Sequence, residues 1–187
     1  MTITLKDGSS VWIAVGAGNI MSNAHIDDLI CEDNLHLWRV SSVKNCIMAS
    51  VRAGGIDLDR LRYQNKLGIS SSLNQSDLIL KTVPKLKELF ASCDMMDGNE
   101  SWQTLLIAKD DKAFAILPSF TCCEIEDFDT RGGGADVTYG AMAYYKDLPP
   151  KERIAQSFRI LEKARSTKYF PVVMMNTVSR ERIVIYE

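Results

Sequence analysis

Hydrophobic and polar positions alternate from the first residues. Ile3 and Leu5 stand between Thr2, Thr4 and Lys6, the pattern of a half-buried strand. Asp7-Gly8 is a hairpin turn signal, and the apolar run Val11-Trp12-Ile13-Ala14-Val15 predicts a strand covered on both faces. Residues 16–34 show no period, with Gly, Asn, Ser and paired Asp. Residues 35–40 and 46–51 predict a second hairpin around 42–45.

Ala53-Gly54-Gly55 is a break, and a helical pattern starts at Asp57, with Ile56, Leu58, Leu61 and Tyr63, ending near Gly68. After a polar linker over 70–75, Ser76 is the expected N-cap of a helix carrying Leu78, Ile79, Val83, Leu86, Leu89 and Phe90, kinked at Pro84. Residues 102–108 and 112–117 predict a third hairpin around Lys109-Asp110-Asp111, and 122–128 a short strand. Gly132-Gly133-Gly134 leads into a helix over 135–146. Leu148-Pro149-Pro150 ends it, and 151–166 is an amphipathic helix with Ile154, Phe158 and Leu161 on one face. Residues 171–176 and 182–186 close the chain as two strands.

Helices come in pairs and strands in hairpins, so alternating βαβ crossovers are not supported. Near-continuous apolar strands need cover on both faces. The expected class is α+β: a four-layer α-β-β-α sandwich of two mostly antiparallel sheets.

Composition narrows the function. The 187 residues suit one domain, 1–187, with a sizeable core. A hydrophobic fraction of 46% with a net charge of -2 excludes disorder. The apolar runs are too short to span a bilayer, and 22 basic against 24 acidic residues argue against nucleic acid as a partner. The odd count of five cysteines, with no C-x-x-C pair, does not form a closed disulfide framework. Cys46 and Cys93 are expected as buried small hydrophobes. Cys122 and Cys123 should point to opposite faces of a strand, and Glu124 and Glu126 deny them the electropositive surroundings of a reactive thiol. The opening Met1-Thr2-Ile3-Thr4-Leu5-Lys6-Asp7-Gly8 lacks the basic head and apolar stretch of a signal peptide, so a reducing cytoplasm is expected.

Four stretches carry a resemblance: Thr2-Ile3-Thr4-Leu5 with Val11 to Val15; Ile47-Met48-Ala49-Ser50-Val51-Arg52-Ala53-Gly54-Gly55-Ile56-Asp57; Leu105-Leu106-Ile107-Ala108 with Phe114-Ala115-Ile116; and Arg131-Gly132-Gly133-Gly134-Ala135 followed by two helices. In order and spacing they resemble the β-type subunits of the proteasome family, especially the HslV-type peptidases, over nearly the whole chain. The resemblance implies the N-terminal-nucleophile hydrolase fold. It also implies a terminal Thr whose hydroxyl attacks a peptide carbonyl while its own α-amine takes the proton, an amine whose ordinary pKa of about 7.7–8.0 suits that task. A Lys and an Asp would support it, and a Gly backbone N–H would hold the oxyanion.

Carried onto this chain, the nucleophile's place falls at or beside Met1, and Thr2 is the only adjacent hydroxyl and the candidate catalytic residue. The Asp position falls at Ala17-Gly18-Asn19, the Lys position at Leu35-His36-Leu37, and the oxyanion position near Ser50-Val51. The first holds no carboxylate and the second no Lys, whereas a backbone N–H at the third survives any side chain. Near the Gly-rich turn and before the penultimate strand, the expected Ser/Asp support is replaced by Gly132–Gly134 and Arg165-Ser166-Thr167-Lys168. The chain therefore reads as a proteasome/HslV-like subunit assembling with copies of itself in a ring or other homo-oligomer, without peptidase activity and with a structural or binding role. An ATPase or a peptide ligand are the other partners the resemblance implies. The rival reading is an ATPase-linked threonine peptidase using Thr2 once Met1 is removed; a metabolic amidohydrolase on the same fold would also depend on Thr2.

Other candidates have plainer readings. His25 and His36 lack partners at metal-ligand spacing, and Asp27-Asp28 with Glu32-Asp33 read as a solvated acidic loop. Gly132–Gly134 lacks the Lys-Ser/Thr of a phosphate loop and reads as a close loop–sheet approach. Tyr139, Tyr144, Tyr145 and Met142 read as core or subunit contact, as do Met174-Met175. No cofactor is expected.

Overall fold

Strand alternation decides which side chains meet. In the computed structural model, which describes residues 1–16, 36–51 and 67–186, β1 (Thr2–Asp7) and β2 (Ser10–Gly16) form the opening hairpin. β3 (Leu37–Arg39) and β4 (Cys46–Val51) form the second. A helical run, α1, follows as an α-turn (Gln75–Asp77), a π-turn (Leu78–Thr82) and an α-helix (Val83–Ser92). Two-residue strands β5 (Met96–Asp97) and β6 (Glu100–Ser101) make a small ribbon. Then come β7 (Thr104–Lys109), β8 (Lys112–Ile116), β9 (Cys122–Glu124) and β10 (Phe128–Arg131). Helices α2 (Ala135–Tyr144) and α3 (Pro150–Arg165) precede the closing hairpin of β11 (Val172–Asn176) and β12 (Arg182–Ile185).

Two five-stranded antiparallel sheets result, in the orders β10-β1-β2-β11-β12 and β3-β4-β7-β8-β9. Three apolar clusters separate four layers. Ile3, Leu5, Trp12 and Ala14 leave the first sheet toward Met142 of α2 and Ile154, Phe158 and Leu161 of α3. Val11, Ile13 and Val15, on its other face, meet Ile47, Ala49, Leu106 and Ala115 of the second sheet. Met48, Leu105, Ile107 and Phe114 turn outward to Leu86 and Phe90 of α1. The structure is thus the α-β-β-α sandwich expected from the hydrophobic pattern. The sheets are also tied at the turns: the Thr177 hydroxyl donates to the Asp110 carbonyl at 2.6 Å and accepts from the Val11 amide at 2.9 Å.

Local details correct the sequence reading. The helix cap is Asn74, not Ser76: its Oδ1 accepts from the Asp77 amide at 2.8 Å. Pro84 does not kink α1 alone; the irregularity lies just before it, where the Val83 amide reaches back five residues to the Leu78 carbonyl. Proline has no N–H and its ring crowds the carbonyl four residues back, so a widened turn relieves both. The single strand expected over 122–128 is two strands in different sheets, because the chain crosses between the layers at 125–127. The β5–β6 ribbon, too short for a period, was not expected. The helix expected from Asp57 lies largely outside the described residues.

Candidate active site at the first strand

Residue parity along β1 sets the site. Met1 packs into the helix layer with Ile3 and Leu5, while Thr2 and Thr4 share the opposite, inter-sheet face with Val15 and Ile13, their partners on β2. Met1 is held on several sides. The Gly16 amide donates to its carbonyl at 2.9 Å, and its α-amine donates to the Gly16 carbonyl at 3.5 Å. The Thr138 hydroxyl of α2 points at its sulfur, 3.9 Å away. Gly132 lies so close that a Cβ there would stand 3.3 Å from the Met1 Cα. Burial of the α-amine lowers its pKa from 8.0 to about 6.

Thr2 is 1% exposed, so the sequence candidate is a fully buried strand residue. With Met1 ahead of it, its nitrogen is an amide and accepts no proton. The Met1 thioether has no proton to donate, and it occupies the other face of the strand. While Met1 stands ahead of Thr2, a nucleophile and its own amine are not combined on one residue.

The other places singled out by sequence are apolar or engaged elsewhere. Leu37 is fully buried in the inter-sheet layer opposite Ala49, and the His36 carbonyl accepts from the Ser50 amide at 3.0 Å. The Ser50 hydroxyl donates to Gln103 Oε1 at 2.7 Å, a buried pair on the face of β4 turned to α1. Val51 faces the site, its Cγ1 3.6 Å from a Cβ built on Gly132. Leu35, the 17–19 segment, His25, Cys31 and the acidic residues 27–28 and 32–33 lie outside the described residues.

What sequence reasoning missed is on β10. The register places Arg131 directly across from Thr2, and Asp129 across from Thr4. Arg131 Nε donates to Asp129 Oδ2 at 2.6 Å, with side-chain exposures of 35% and 17%. The alternate residues turn the other way: Thr130 donates its hydroxyl to the Ala135 carbonyl at 2.8 Å, and the Phe128 ring lies 4.7 Å from that of Tyr139 on α2. Arg131 and Asp129 thus form a polar inlay with Thr2 and Thr4. Among the described residues, the Thr4 hydroxyl within it is buried without a hydrogen-bond partner. No local pattern could show this pairing, since it joins residues about 130 positions apart.

The thiols are arranged as expected in part. Cys46 and Cys122 are buried, which raises their pKa to about 12 and about 11, and Cys93 and Cys123 are half-buried. Cys122 packs in the α1 layer, and Cys123 pairs with Ala115 of the inter-sheet face, so the two do point apart. Met142 is fully buried, whereas Tyr139 and Tyr144 are exposed. Among the described residues, no group of three or more His, Cys, Asp or Glu could hold a metal ion, and no helix is long and apolar enough to cross a membrane.

No protein-family profile and no curated protein matches this sequence. Solved structures do match its fold. Thiobacillus denitrificans BPH in complex with epoxomicin aligns over 94% of this chain and 97% of its own, with a TM-score of 0.66 at 15% identity. Eukaryotic HslV from Trypanosoma brucei aligns over the same shares, with a TM-score of 0.63 at 12% identity. This chain therefore has the proteasome β/HslV-like fold, as the resemblance in its sequence implied.

Proposed function

We propose that this chain is a proteasome/HslV-like subunit, one domain over 1–187, that assembles with copies of itself in the cytoplasm. With Met1 in place it hydrolyses no peptides and serves a structural or binding role. One observation carries the reading: Met1 is built into the helix layer and the β1–β2 ladder, so the residue bearing the α-amine bears no nucleophile. The fold likeness to HslV supports self-assembly, and a peptide or an ATPase is the further partner in keeping with it.

A second reading is favoured by the parity of β1. Thr2 faces the inter-sheet layer beside a charged pair, so removal of Met1 would give a terminal threonine whose amine and hydroxyl serve one reaction. Its oxygen would bond to a peptide carbonyl carbon, its proton passing to the amine and then to the leaving amine. In that form the chain would be an ATPase-linked threonine endopeptidase.

Intact mass and turnover separate the two. The first reading expects a mass that includes Met1 and no cleavage of a fluorogenic peptide. A mass lacking Met1, with cleavage abolished by Thr2→Ala, would overturn it. Epoxomicin, seen bound to the T. denitrificans protein, is the matching probe: a Thr2-dependent adduct supports the second reading. Light scattering tests assembly, and a 20.9 kDa monomer at working concentrations refutes it.

A further inference from the structure

A sandwich of two sheets has little reason to put charge against its inner face, because an uncompensated polar group there is costly. Here the inner face of the β1–β10 edge carries Thr2, Thr4, Asp129 and Arg131 where the adjoining β2 carries Val11, Ile13 and Val15. Directly opposed residues in an antiparallel pair have Cβ atoms about 4.5–5.5 Å apart on one face. Arg131 is the residue opposed to Thr2. Asp129 is opposed to Thr4, so the Arg131 side chain starts level with Thr2 and its Nε reaches along the strand to the Asp129 carboxylate, 2.6 Å away.

We infer that Arg131, fixed in place by Asp129, is the positioning cation for Thr2, filling from β10 the role that the sequence leaves vacant on β3. This rests on the second reading, in which Thr2 heads the chain. An ammonium at Thr2 would stand beside a guanidinium that cannot lose its proton, and the like charge favours the neutral, proton-accepting amine. Asp129 limits the effect by neutralising part of the charge, and it holds the guanidinium by its Nε. Val15, the partner of Thr2 on β2, is apolar, and Asp136 at the start of α2 is turned to Arg165, with its carboxylate oxygens 2.9 and 3.1 Å from Nη2. The half-exposed guanidinium also leaves N–H groups for an incoming peptide carbonyl or carboxylate.

The test is a titration rather than an activity. The full chain is prepared beginning at Thr2, by cleavage of a removable fusion, in three forms: unaltered, Arg131→Gln and Arg131→Lys. The Thr2 α-amine is followed by NMR across pH 5–10. The Gln form should titrate about one unit higher than the unaltered chain, and the Lys form should stay near it, since it keeps the charge. Equal midpoints in all three forms would overturn the inference. So would a Lys form that titrates with the Gln form, which would point to packing rather than charge. Turnover of a fluorogenic peptide is read separately: an inactive chain with the expected shift refutes the second reading but not the role of Arg131, and an active chain without the shift does the reverse.

Discussion

The Arg153 guanidinium donates from Nε to the Met142 carbonyl at 2.8 Å, so a buried cation on α3 caps the end of α2. It also lies over the Phe128 ring, 4.9 Å from the centroid, with Asp127 3.9 Å away. One side chain thus joins both outer helices to the edge strand that carries Asp129 and Arg131. Its charge opposes the negative end of the α2 dipole. Arg153→Ala removes the cap and leaves a cavity, and should cost about 3 kcal/mol in urea unfolding. Arg153→Lys keeps the charge but not the planar stack, and should recover only part of this.

The Gly-rich turn makes a sharper prediction, because its three glycines are not equivalent. Gly134 has φ +87°, and a Cβ there would run into Leu161 Cδ1. Gly134→Ala should destabilise by roughly 2–4 kcal/mol, from backbone strain and overpacking together. Gly133 has nothing within 4 Å of an added Cβ, so Gly133→Ala should fall within about 0.5 kcal/mol of the unaltered chain. Equal losses at both positions would show that the turn is limited by something other than these contacts.

These two sites also show what the sequence could convey. Alternation at Ile3 and Leu5, the run Val11 to Val15 and the face of Ile154, Phe158 and Leu161 are local periodic signals, and each element formed where its period predicted. The layers followed because such strands need cover on both faces. The site was less legible, since it depends on which strand lies beside β1. Arg131 meets Thr2 only through a long-range register, and the strand carrying it was expected to end at Phe128. The Asn74 cap was missed for a smaller reason: Asn74 and Ser76 are both good caps, and only the backbone turn between them decides.

Thiol chemistry gives a third check. Burial holds Cys46 near a pKa of 12 and Cys122 near 11, so both stay protonated at pH 8. In the native protein, a thiol reagent followed by peptide mapping should leave these two unmodified while labelling the half-buried Cys93 and Cys123. Rapid labelling of Cys122 would contradict its place against α1.

The last prediction concerns the α-amine of the chain that begins at Met1. Its pKa is about 6 when folded against an ordinary value of 8.0. Between these values the unfolded chain carries a proton there that the folded chain does not. Stability therefore rises with pH across this window. The contribution is complete above pH 8 and lost as pH falls through 6, because below that the folded state must bury an ammonium. Two pKa units correspond to about 3 kcal/mol. Urea unfolding at pH 8.5 and 5.5 should show that difference. Other groups can change protonation over the same pH span in any protein, so the comparison needs a chain acetylated at Met1, in which the amine cannot charge. Acetylation should remove the Met1 share of the slope and leave the rest. If both chains lose stability equally toward pH 5.5, Met1 is hydrated in solution and its built-in position is wrong.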